Sequence, residues 1–202
     1  MILHVLPPTH QFLHKVCKPV SLPKLGTKKM QNLIETMLDF VYGRNNKGKN
    51  RNQNKPMTVG LSANQIGILK RISIVDLAIG KKDINDIHVL INPRIIRHSR
   101  TIFNHHEGCV NLKGIWGRIK RYRKVIVKAY DRSGNKLTIE AKGWCSVLLQ
   151  HEIDHLNGYL FIDHLDDPTK AHRVNESETQ KYRDTSAHWK EFVDVSSLVR
   201  KS

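Results

Sequence analysis

The 202-residue chain has few cysteines, few aromatic residues and few acidic side chains. Its three cysteines, Cys17, Cys109 and Cys145, are an odd and sparse set, which excludes a disulfide-stapled scaffold and favours a reducing, intracellular compartment. No apolar run reaches the ~18 residues that a membrane span needs. The first ten residues, MILHVLPPTH, lack the layout of a secretory signal. We expect a cytoplasmic protein with no membrane partner, and a trimmed organellar form stays open.

The shortage of acidic residues gives the chain a strong positive charge. Lysine and arginine number 34 and aspartate and glutamate 18, so the formal net charge is +16. Such a field attracts polyanions and raises encounter rates with them. Two interpretations stay open at this point. One is a nucleic acid, or a machine built on it, as a partner; the other is a basic composition that serves no partner.

Length and composition favour one folded domain with two charged additions. A chain of this length suits a single domain, which we place at residues 1–165. Residues 43–57 read GRNNKGKNRNQNKPM and carry almost no apolar side chain. They predict a basic loop inserted in that domain, either solvated or in contact with RNA phosphates. Residues 166–202 are charged and weakly periodic, which predicts a tail with some helix.

Apolar spacing predicts two helices and several strands. Apolar residues at helical spacing indicate helices over 28–42 and 144–156. Short apolar or alternating runs indicate strands at 71–76, 87–91, 125–129 and 137–141. Asn92-Pro93 is predicted to end the second of these, and the turn DRSGN at 131–135 joins the last two into a hairpin. Strands and helices in separate blocks predict an α+β fold class.

The second predicted helix carries the segment HEIDH at 151–155. Residues i and i+4 of a helix lie one turn apart on the same face, so the imidazoles of His151 and His155 can bind one metal ion. Glu152 lies beside that face, where a carboxylate can transfer protons. Buried His and Glu are costly without partners, and the flanking residues are apolar. We therefore favour a metal site over a helix with exposed His and Glu.

A catalytic divalent site usually takes three protein ligands and keeps one position open. His164 is one candidate for the third ligand, but it follows His151 at a longer spacing than the zinc-peptidase patterns have. Cys109, in the segment NHHEGC, is the other candidate, because a thiolate binds zinc and ferrous iron well. A lone cysteine is more commonly a small buried apolar side chain. The residue types alone leave the third ligand open.

Three segments, in their order along the chain, resemble the peptide deformylase family. That family shows a GxGLAAxQ-type segment, then an EGCLS-type segment, then a QHExDH segment. This chain has VGLSANQ at 59–65, EGCVN at 107–111 and QHEIDH at 150–155. Three motifs in one order are far more specific than any single one, and the resemblance runs from the N-terminus to about residue 165. The departures from the family pattern are at Thr58, Ser62, Val110, Asn111 and Lys113.

The resemblance implies an α+β fold in which antiparallel sheets pack around a central metal-binding helix. It implies hydrolysis of the formyl group from N-formylmethionyl peptides of nascent chains, with residues 1–165 as the catalytic domain. Carried over to this sequence, the metal ligands are Cys109, His151 and His155. Glu152 takes the role of general acid and base. The metal is one divalent ion, with Fe²⁺ as the native ion and Zn²⁺, Ni²⁺ or Co²⁺ as substitutes.

The resemblance also implies roles for residues around the metal. Gln65 and the backbone N–H of Val110 stabilise the oxyanion, and Gly60 allows the substrate backbone to approach. The pocket for the methionine side chain would be lined by Trp144, Val147 and Leu148. Association with the ribosome through the basic surface is a further expectation.

The sequence also indicates some of the side chains that could form hydrogen bonds with the predicted ligands. Ligating histidines usually donate their other N–H to an oxygen. Asp154 and Gln150 are near enough in sequence to accept it. Glu107 is expected to pair with Arg121, either at the site or as a surface salt bridge.

Three alternatives to an active deformylase stay open from the sequence. One is a divergent member of the family with an altered substrate or little activity. Another is a metalloprotease that uses H-E-x-x-H with a different third ligand. The last is a non-enzymatic RNA- or ribosome-binding module with a structural metal, closed by His105 or His106 as a fourth ligand.

Overall fold

The computed structural model describes residues 4–42, 58–78 and 86–200, and the basic segment predicted at 43–57 lies outside these ranges. The helices are α1 (Lys28–Tyr42), α2 (Trp144–Leu156) and α3 (Thr179–Thr185). The strands are β1 (Gly60–Ser62), β2 (Ile72–Asp76), β3 (Ile87–His98), β4 (Ile102–Gly108), β5 (Ile115–Tyr122), β6 (Lys124–Tyr130), β7 (Lys136–Lys142), β8 (Ala171–Arg173) and β9 (Phe192–Val193).

The strands form two antiparallel sheets with α2 between them. The first sheet has the order β1-β2-β3-β6-β7, and the second has the order β4-β5-β8-β9. Leu149 and Ile153 of α2 pack with Val125 and Val127 on the inner face of the first sheet. The opposite side of α2 meets β4, through Glu107. The α+β class, with antiparallel sheets around one helix, is confirmed.

Both long helices begin and end at the residues that the apolar spacing predicts. On α1, Ile34, Met37 and Val41 are fully buried in a cluster with residues of β1 and β2. After α2 the chain turns at Gly158, whose φ of +78° is a left-handed conformation that favours glycine. A Cβ at this position would lie 2.7 Å from the carbonyl oxygen of His14. The N-terminal segment therefore passes directly against the end of α2.

The predicted end of β3 at Asn92-Pro93 is wrong, because the strand continues to His98. Its pairing with β6 shifts register between Ile91 and Arg94, which marks a bulge. A residue in a bulge does not have to donate a hydrogen bond to the neighbouring strand, so the strand can continue through the proline. Asn92 has a φ of +53°, and its side chain bonds both backbone groups of Val20, at 2.7 and 2.8 Å. These two hydrogen bonds hold the bulge in place.

The predicted hairpin is confirmed as β6 and β7, paired from Lys124–Lys142 to Tyr130–Lys136. In its turn, the carboxylate of Asp131 accepts hydrogen bonds from the backbone N–H groups of Ser133 and Asn135. Such local bonding by aspartate is the reason that the residue type marks turns.

The segment after residue 165 contains β8, α3 and β9. β8 extends the second sheet by pairing with β5, Trp116 opposite His172. The Tyr182 side chain of α3 is fully buried, and its hydroxyl lies 2.8 Å from Nδ1 of His172. Residues 171–193 thus build part of a sheet, in addition to the short helix. None of the described helices is long and apolar enough to cross a membrane.

Candidate metal centre

α2 brings His151 and His155 to one face, and the turn after β4 brings Cys109 to the same point. The Nε2 atoms of the two histidines are 3.2 Å apart. Sγ of Cys109 lies 3.3 Å from Nε2 of His155. One ligand atom from each residue falls within 4.8 Å of the other two. The structure therefore places the three predicted ligands together, although 42 residues separate Cys109 from His151 in the sequence.

The spacing of these atoms fits a metal ion. Ligand atoms at the corners of a tetrahedron, with bonds of about 2.0–2.3 Å, lie about 3.3–3.6 Å apart. The observed separations of 3.2 and 3.3 Å are close to these values. The donor set of one sulfur and two nitrogens is also one that zinc and ferrous iron accept.

Three side chains that can bind a metal form this group. Within the three described ranges, no fourth His, Cys, Asp or Glu joins Cys109, His151 and His155. His105 instead stacks on the ring of Trp144, with centroids 5.6 Å apart. His106 bonds the hydroxyl of Ser186. His105 and His106 therefore do not join the group as a fourth ligand, which a closed structural site would require.

Glu107 on β4 orients His151. Its Oε2 lies 2.7 Å from Nδ1 of His151, so Nδ1–H donates and Nε2 is free to bind an ion. Arg121 on β5 binds both oxygens of the same carboxylate, at 2.7 and 3.0 Å, and also bonds Asp154. Burial would raise the pKa of Glu107, but Arg121 and His151 lower it to about 2. The carboxylate is therefore ionised and fully paired.

The structure shows which of the expected side chains bond His151, whereas the buried Nδ1 of His155 has no partner among the described residues. The pair of Glu107 and Arg121 is confirmed, and it is buried at the site. Asp154 and Gln150 do not accept the N–H of His151. Gln150 bonds the backbone of Tyr122 on β5 instead. His164, the other candidate ligand, lies 2.8 Å from Oδ2 of Asp154. The neighbours along α2 lie on other sides of the helix, whereas β4 runs beside Nδ1.

Glu152 is buried and faces β1 and β2. Its Oε2 accepts a hydrogen bond from the hydroxyl of Ser62 at 2.7 Å. That hydroxyl is also 2.7 Å from Oγ of Ser73 on β2. Burial raises the pKa of Glu152 to about 7, against the lowering effects of His151 and the Ser62 hydrogen bond. A carboxyl with a pKa near neutrality can both take up and release protons, as general acid–base catalysis requires.

Gly60 on β1 leaves space for the Glu152 carboxylate. A Cβ at residue 60 would lie 2.3 Å from Oε1 of Glu152 and 2.9 Å from Cδ1 of Leu148. Any larger residue would displace one of these two side chains. The structure thus shows a steric reason for a glycine at residue 60, and the sequence alone did not show this reason.

Gln65 and Val110 lie beside Cys109. Nε2 of Gln65 is 3.4 Å from Sγ of Cys109 and 2.9 Å from Oδ1 of Asn111. Its Oε1 accepts the backbone N–H of Ser62 at 2.7 Å. The backbone N–H of Val110 donates to no acceptor in the described part of the chain. Two hydrogen-bond donors therefore lie next to Cys109.

The three residues predicted to line a pocket lie on α2, ahead of the ligands. Val147 is fully buried, and Leu148 is 3% exposed and packs in the cluster on the first sheet. Trp144 is half-buried and stacks on His105. His105 was not predicted at this place. The period of two along β4, which puts residues 105 and 107 on the same side, could have indicated it.

Residues 2–171 match the sequence model of the family described as polypeptide deformylase. The chain belongs to this family. A peptide deformylase from Thermodesulfovibrio yellowstonii is 40% identical over 134 residues, which cover 66% of this chain and 73% of the relative. One from Macrococcus caseolyticus is 35% identical over 169 residues, which cover 81% of this chain and 91% of the relative.

Solved structures agree with this assignment. The crystal structure of a peptide deformylase from Legionella pneumophila matches with a TM-score of 0.67 and 35% identity, covering 82% of this chain and 87% of that one. A class I type b peptide deformylase from Acinetobacter baumannii matches with a TM-score of 0.70 and 27% identity, covering 82% and 99%. The resemblance seen in the sequence is confirmed. The chain is a metal-dependent hydrolase that removes formyl groups, so the metalloprotease and the non-enzymatic module are wrong.

Two residues at the site were noted in the sequence only as departures from the family pattern. In the structure, Ser62 bonds Glu152 and Asn111 bonds Gln65. These partners are 90 and 46 residues apart along the chain. No periodicity or local motif marks contacts at such separations, so reasoning from the sequence missed them.

Proposed function

We propose that this chain deformylates N-formylmethionyl peptides of nascent chains, with Cys109, His151 and His155 as the metal ligands and Glu152 as the general acid and base. The observation that carries the proposal is a buried carboxylate beside three converging ligand atoms. A divalent ion held by these atoms supplies Lewis-acid activation of the formyl group and of a water molecule.

Glu152 moves the proton in this proposal. Its carboxylate accepts a proton as water adds to the formyl carbon, and it delivers that proton to the amide nitrogen as the C–N bond breaks. The products are formate and a peptide with a free amino terminus. The Ser62 hydroxyl holds Oε2 of the carboxylate while this transfer takes place.

Gln65 and Val110 act on the formyl oxygen, which gains negative charge when water adds. A side-chain N–H of Gln65 and the backbone N–H of Val110 donate to that oxygen, and one such donor is typically worth ~3–4 kcal/mol. β1 is an edge strand of its sheet, so a peptide can add to it beside Gly60. The methionine side chain then enters a pocket lined by Trp144, Val147 and Leu148.

The test of this proposal is a formate-release assay on metal-loaded protein with a formyl-Met peptide. We expect formate and a free amino terminus in equal amounts, with all other peptide bonds intact. The acetyl-Met peptide of the same sequence is the control, and it should be hydrolysed far more slowly. Absence of formate from fully loaded protein would contradict the proposal and favour the divergent family member with little activity.

Ferrous iron is the native metal in our proposal, with zinc, nickel or cobalt as substitutes. The donor set of a thiolate and two imidazoles suits these ions. We place the protein in the cytoplasm, where Cys17, Cys109 and Cys145 stay reduced. Metal analysis after anaerobic purification should find one iron per chain. Full occupancy by zinc under the same conditions would contradict the choice of iron.

Ribosome association through a basic surface is the second part of the proposal. The outer face of β3, β6 and β7 points away from α2 and carries six cations and one carboxylate, Glu140. We call this surface the basic face, and its cations are Arg94, Arg97, Lys124, Lys128, Lys136 and Lys142. The metal ligands lie on the opposite side of the sheet, so RNA on the basic face would leave them open to a nascent chain.

Charges on the basic face are arranged unfavourably for an isolated protein. Arg94 lies directly opposite Lys128, and Lys124 directly opposite Lys142. Like charges opposite each other on a sheet are destabilising. None of these four forms an ion pair with another described residue. The phosphates of ribosomal RNA would neutralise them.

Co-sedimentation with ribosomes tests the basic face. The double variant Lys124→Glu and Lys142→Glu should pellet much less than the unchanged chain and keep its formate release. The double variant Lys28→Glu and Lys29→Glu changes the net charge equally on exposed residues of α1 and should pellet normally. No pelleting of the unchanged chain at low salt would end this part of the proposal, and equal loss in both variants would show a non-specific charge effect.

A further inference from the structure

We infer that Asn111 is a positioning residue that fixes the orientation of the Gln65 side-chain amide. This inference rests on the proposed role of Gln65 in stabilising the reacting oxygen. Asn111 follows Cys109 by two residues, is only 4% exposed and is not one of the metal ligands. The EGCLS-type segment of the family has a serine at this position. Asn111 therefore places an amide where the family usually has a hydroxyl.

The orientation of Asn111 is fixed by two backbone carbonyl groups. Its Nδ2 donates to the oxygen of Leu6 at 2.8 Å and lies 3.3 Å from the oxygen of Gln65. A carbonyl oxygen can only accept, so the nitrogen of Asn111 must face these two groups. Oδ1 of Asn111 is consequently the atom that faces the side chain of Gln65.

The orientation of Gln65 follows from that of Asn111. Oδ1 of Asn111 accepts a hydrogen bond from Nε2 of Gln65 at 2.9 Å, and the Ser62 backbone N–H donates to Oε1 at 2.7 Å. Rotating the Gln65 amide by half a turn would set oxygen against oxygen and N–H against N–H. Both contacts would be repulsive, and the buried groups would lose their partners. The amide therefore has one favourable orientation.

This orientation directs the second N–H of Gln65 to the metal centre, where it donates to Sγ of Cys109. One hydrogen of Nε2 is bonded to Asn111, and Nε2 lies 3.4 Å from Sγ of Cys109. A donor that is already oriented stabilises a developing negative charge without reorganisation. Without Asn111, the amide could turn its oxygen towards that charge and repel it. Asn111 thus acts on the reaction through Gln65, although its Oδ1 also lies 3.6 Å from Sγ of Cys109.

A double-mutant cycle between positions 65 and 111 tests this inference, because it measures whether one residue acts through the other. Asn111→Leu keeps a similar volume and removes both hydrogen-bonding ends. We expect it to lower kcat by about 10- to 100-fold, below the ~10²–10³-fold cost of losing an oxyanion donor, with little change in KM. Gln65→Ala should lower kcat at least as much. In the Gln65→Ala background, adding Asn111→Leu should change kcat by less than about twofold.

The outcomes of the cycle separate the inference from the proposed function. If Gln65→Ala leaves kcat unchanged, the proposed role of Gln65 is wrong, and the inference fails with it. If Gln65→Ala lowers kcat but Asn111→Leu lowers it by the same factor in both backgrounds, Asn111 has only a structural role. Loss of formate release in the unchanged chain would instead overturn the proposed function itself.

Three further comparisons complete the test, and the first of them does not depend on activity. Hydrogen exchange of the Gln65 side-chain amide, followed by NMR on zinc-loaded protein, should be slow in the unchanged chain and faster in Asn111→Leu. Asn111→Ser keeps one acceptor and should fall between the two in kcat, and it replaces Asn111→Leu if that variant does not fold. Asn92→Ala removes two hydrogen bonds to Val20 elsewhere and should lower stability without changing kcat.

Discussion

The two sides of α2 are built from different chemistry. Leu149 and Ile153, 0% and 3% exposed, pack on the first sheet through apolar contacts alone. On its polar side, His151 is turned towards β4 and Glu152 towards β1 and β2, and each is buried next to a charged or polar group that it bonds. Apolar burial holds the helix in place, whereas buried polar groups need matched partners because they are costly alone. Changes on the first side should alter stability, and changes on the second should alter chemistry.

The largest effect is expected from removing the proton carrier on the polar side. Glu152→Ala should lower kcat for formate release by about 10²–10⁴-fold, because no other group takes its proton-transfer role. Metal content should stay at one ion per chain. Glu152→Gln, which keeps the size of the side chain, is the control and should lose as much activity. Activity near that of the unchanged chain in either variant would disprove the role of Glu152.

On the apolar side, Leu149→Ala should cost about 2–5 kcal/mol of unfolding free energy, because it opens a cavity in a fully buried cluster. Urea unfolding monitored by circular dichroism measures this. At a temperature where the variant is folded, kcat should stay within about twofold of the unchanged chain. A large fall in kcat with unchanged stability would show that the apolar side of α2 also affects the chemistry.

A smaller effect on chemistry is expected from Glu107, which supports a ligand without being one. Glu107→Gln should weaken metal binding by about 10- to 100-fold, since such supporting partners typically contribute that much. Competition with a chelator measures the affinity. Lys120→Gln is the control, because Lys120 pairs with an exposed carboxylate of Asp166 at 2.9 Å. An unchanged metal affinity in Glu107→Gln would show that Glu107 does not support metal binding.

The buried carboxylate of Glu107 should also make the stability of the fold depend on pH. The pKa of Glu107 falls from an ordinary value of 4.5 to about 2 in the folded chain. Its ionised form therefore stabilises the fold above pH 4.5, and the contribution is lost as the pH falls towards 2. Glu107→Gln should flatten the unfolding free energy over this range. An unchanged acid profile would show that other carboxyl groups dominate.

The sequence predicted the parts of the molecule that depend on local spacing. The limits of α1 and α2 and the hairpin of β6 and β7 follow from apolar periodicity and turn chemistry, and the structure confirms them. The ligand pair His151 and His155 follows from helical spacing in the same way. β1, β5, β8 and β9 were missed because pairing between distant segments decides them. The continuation of β3 depended on Asn92 bonding Val20, 72 residues away.

The site itself could be predicted only as far as motifs reach. The resemblance of three segments to the family motifs predicted that Cys109 lies near the two histidines and that Gln65 lies near Cys109. The hydrogen bonds from Ser62 to Glu152 and from Gln65 to Asn111 were not predictable, because they involve the residues that depart from the family pattern. Where a residue departs from a pattern, only three-dimensional contacts show what its new group does.

The most direct test of the metal centre is X-ray absorption on the cobalt- or iron-loaded protein, with Cys109→Ser as the matched variant. We expect one sulfur and two imidazole nitrogens from the protein around the ion, with the remaining position filled by a non-protein oxygen. We also expect that Cys109→Ser removes the sulfur and lowers metal affinity. Coordination without sulfur in the unchanged chain, or with a fourth protein nitrogen or sulfur, would contradict the account.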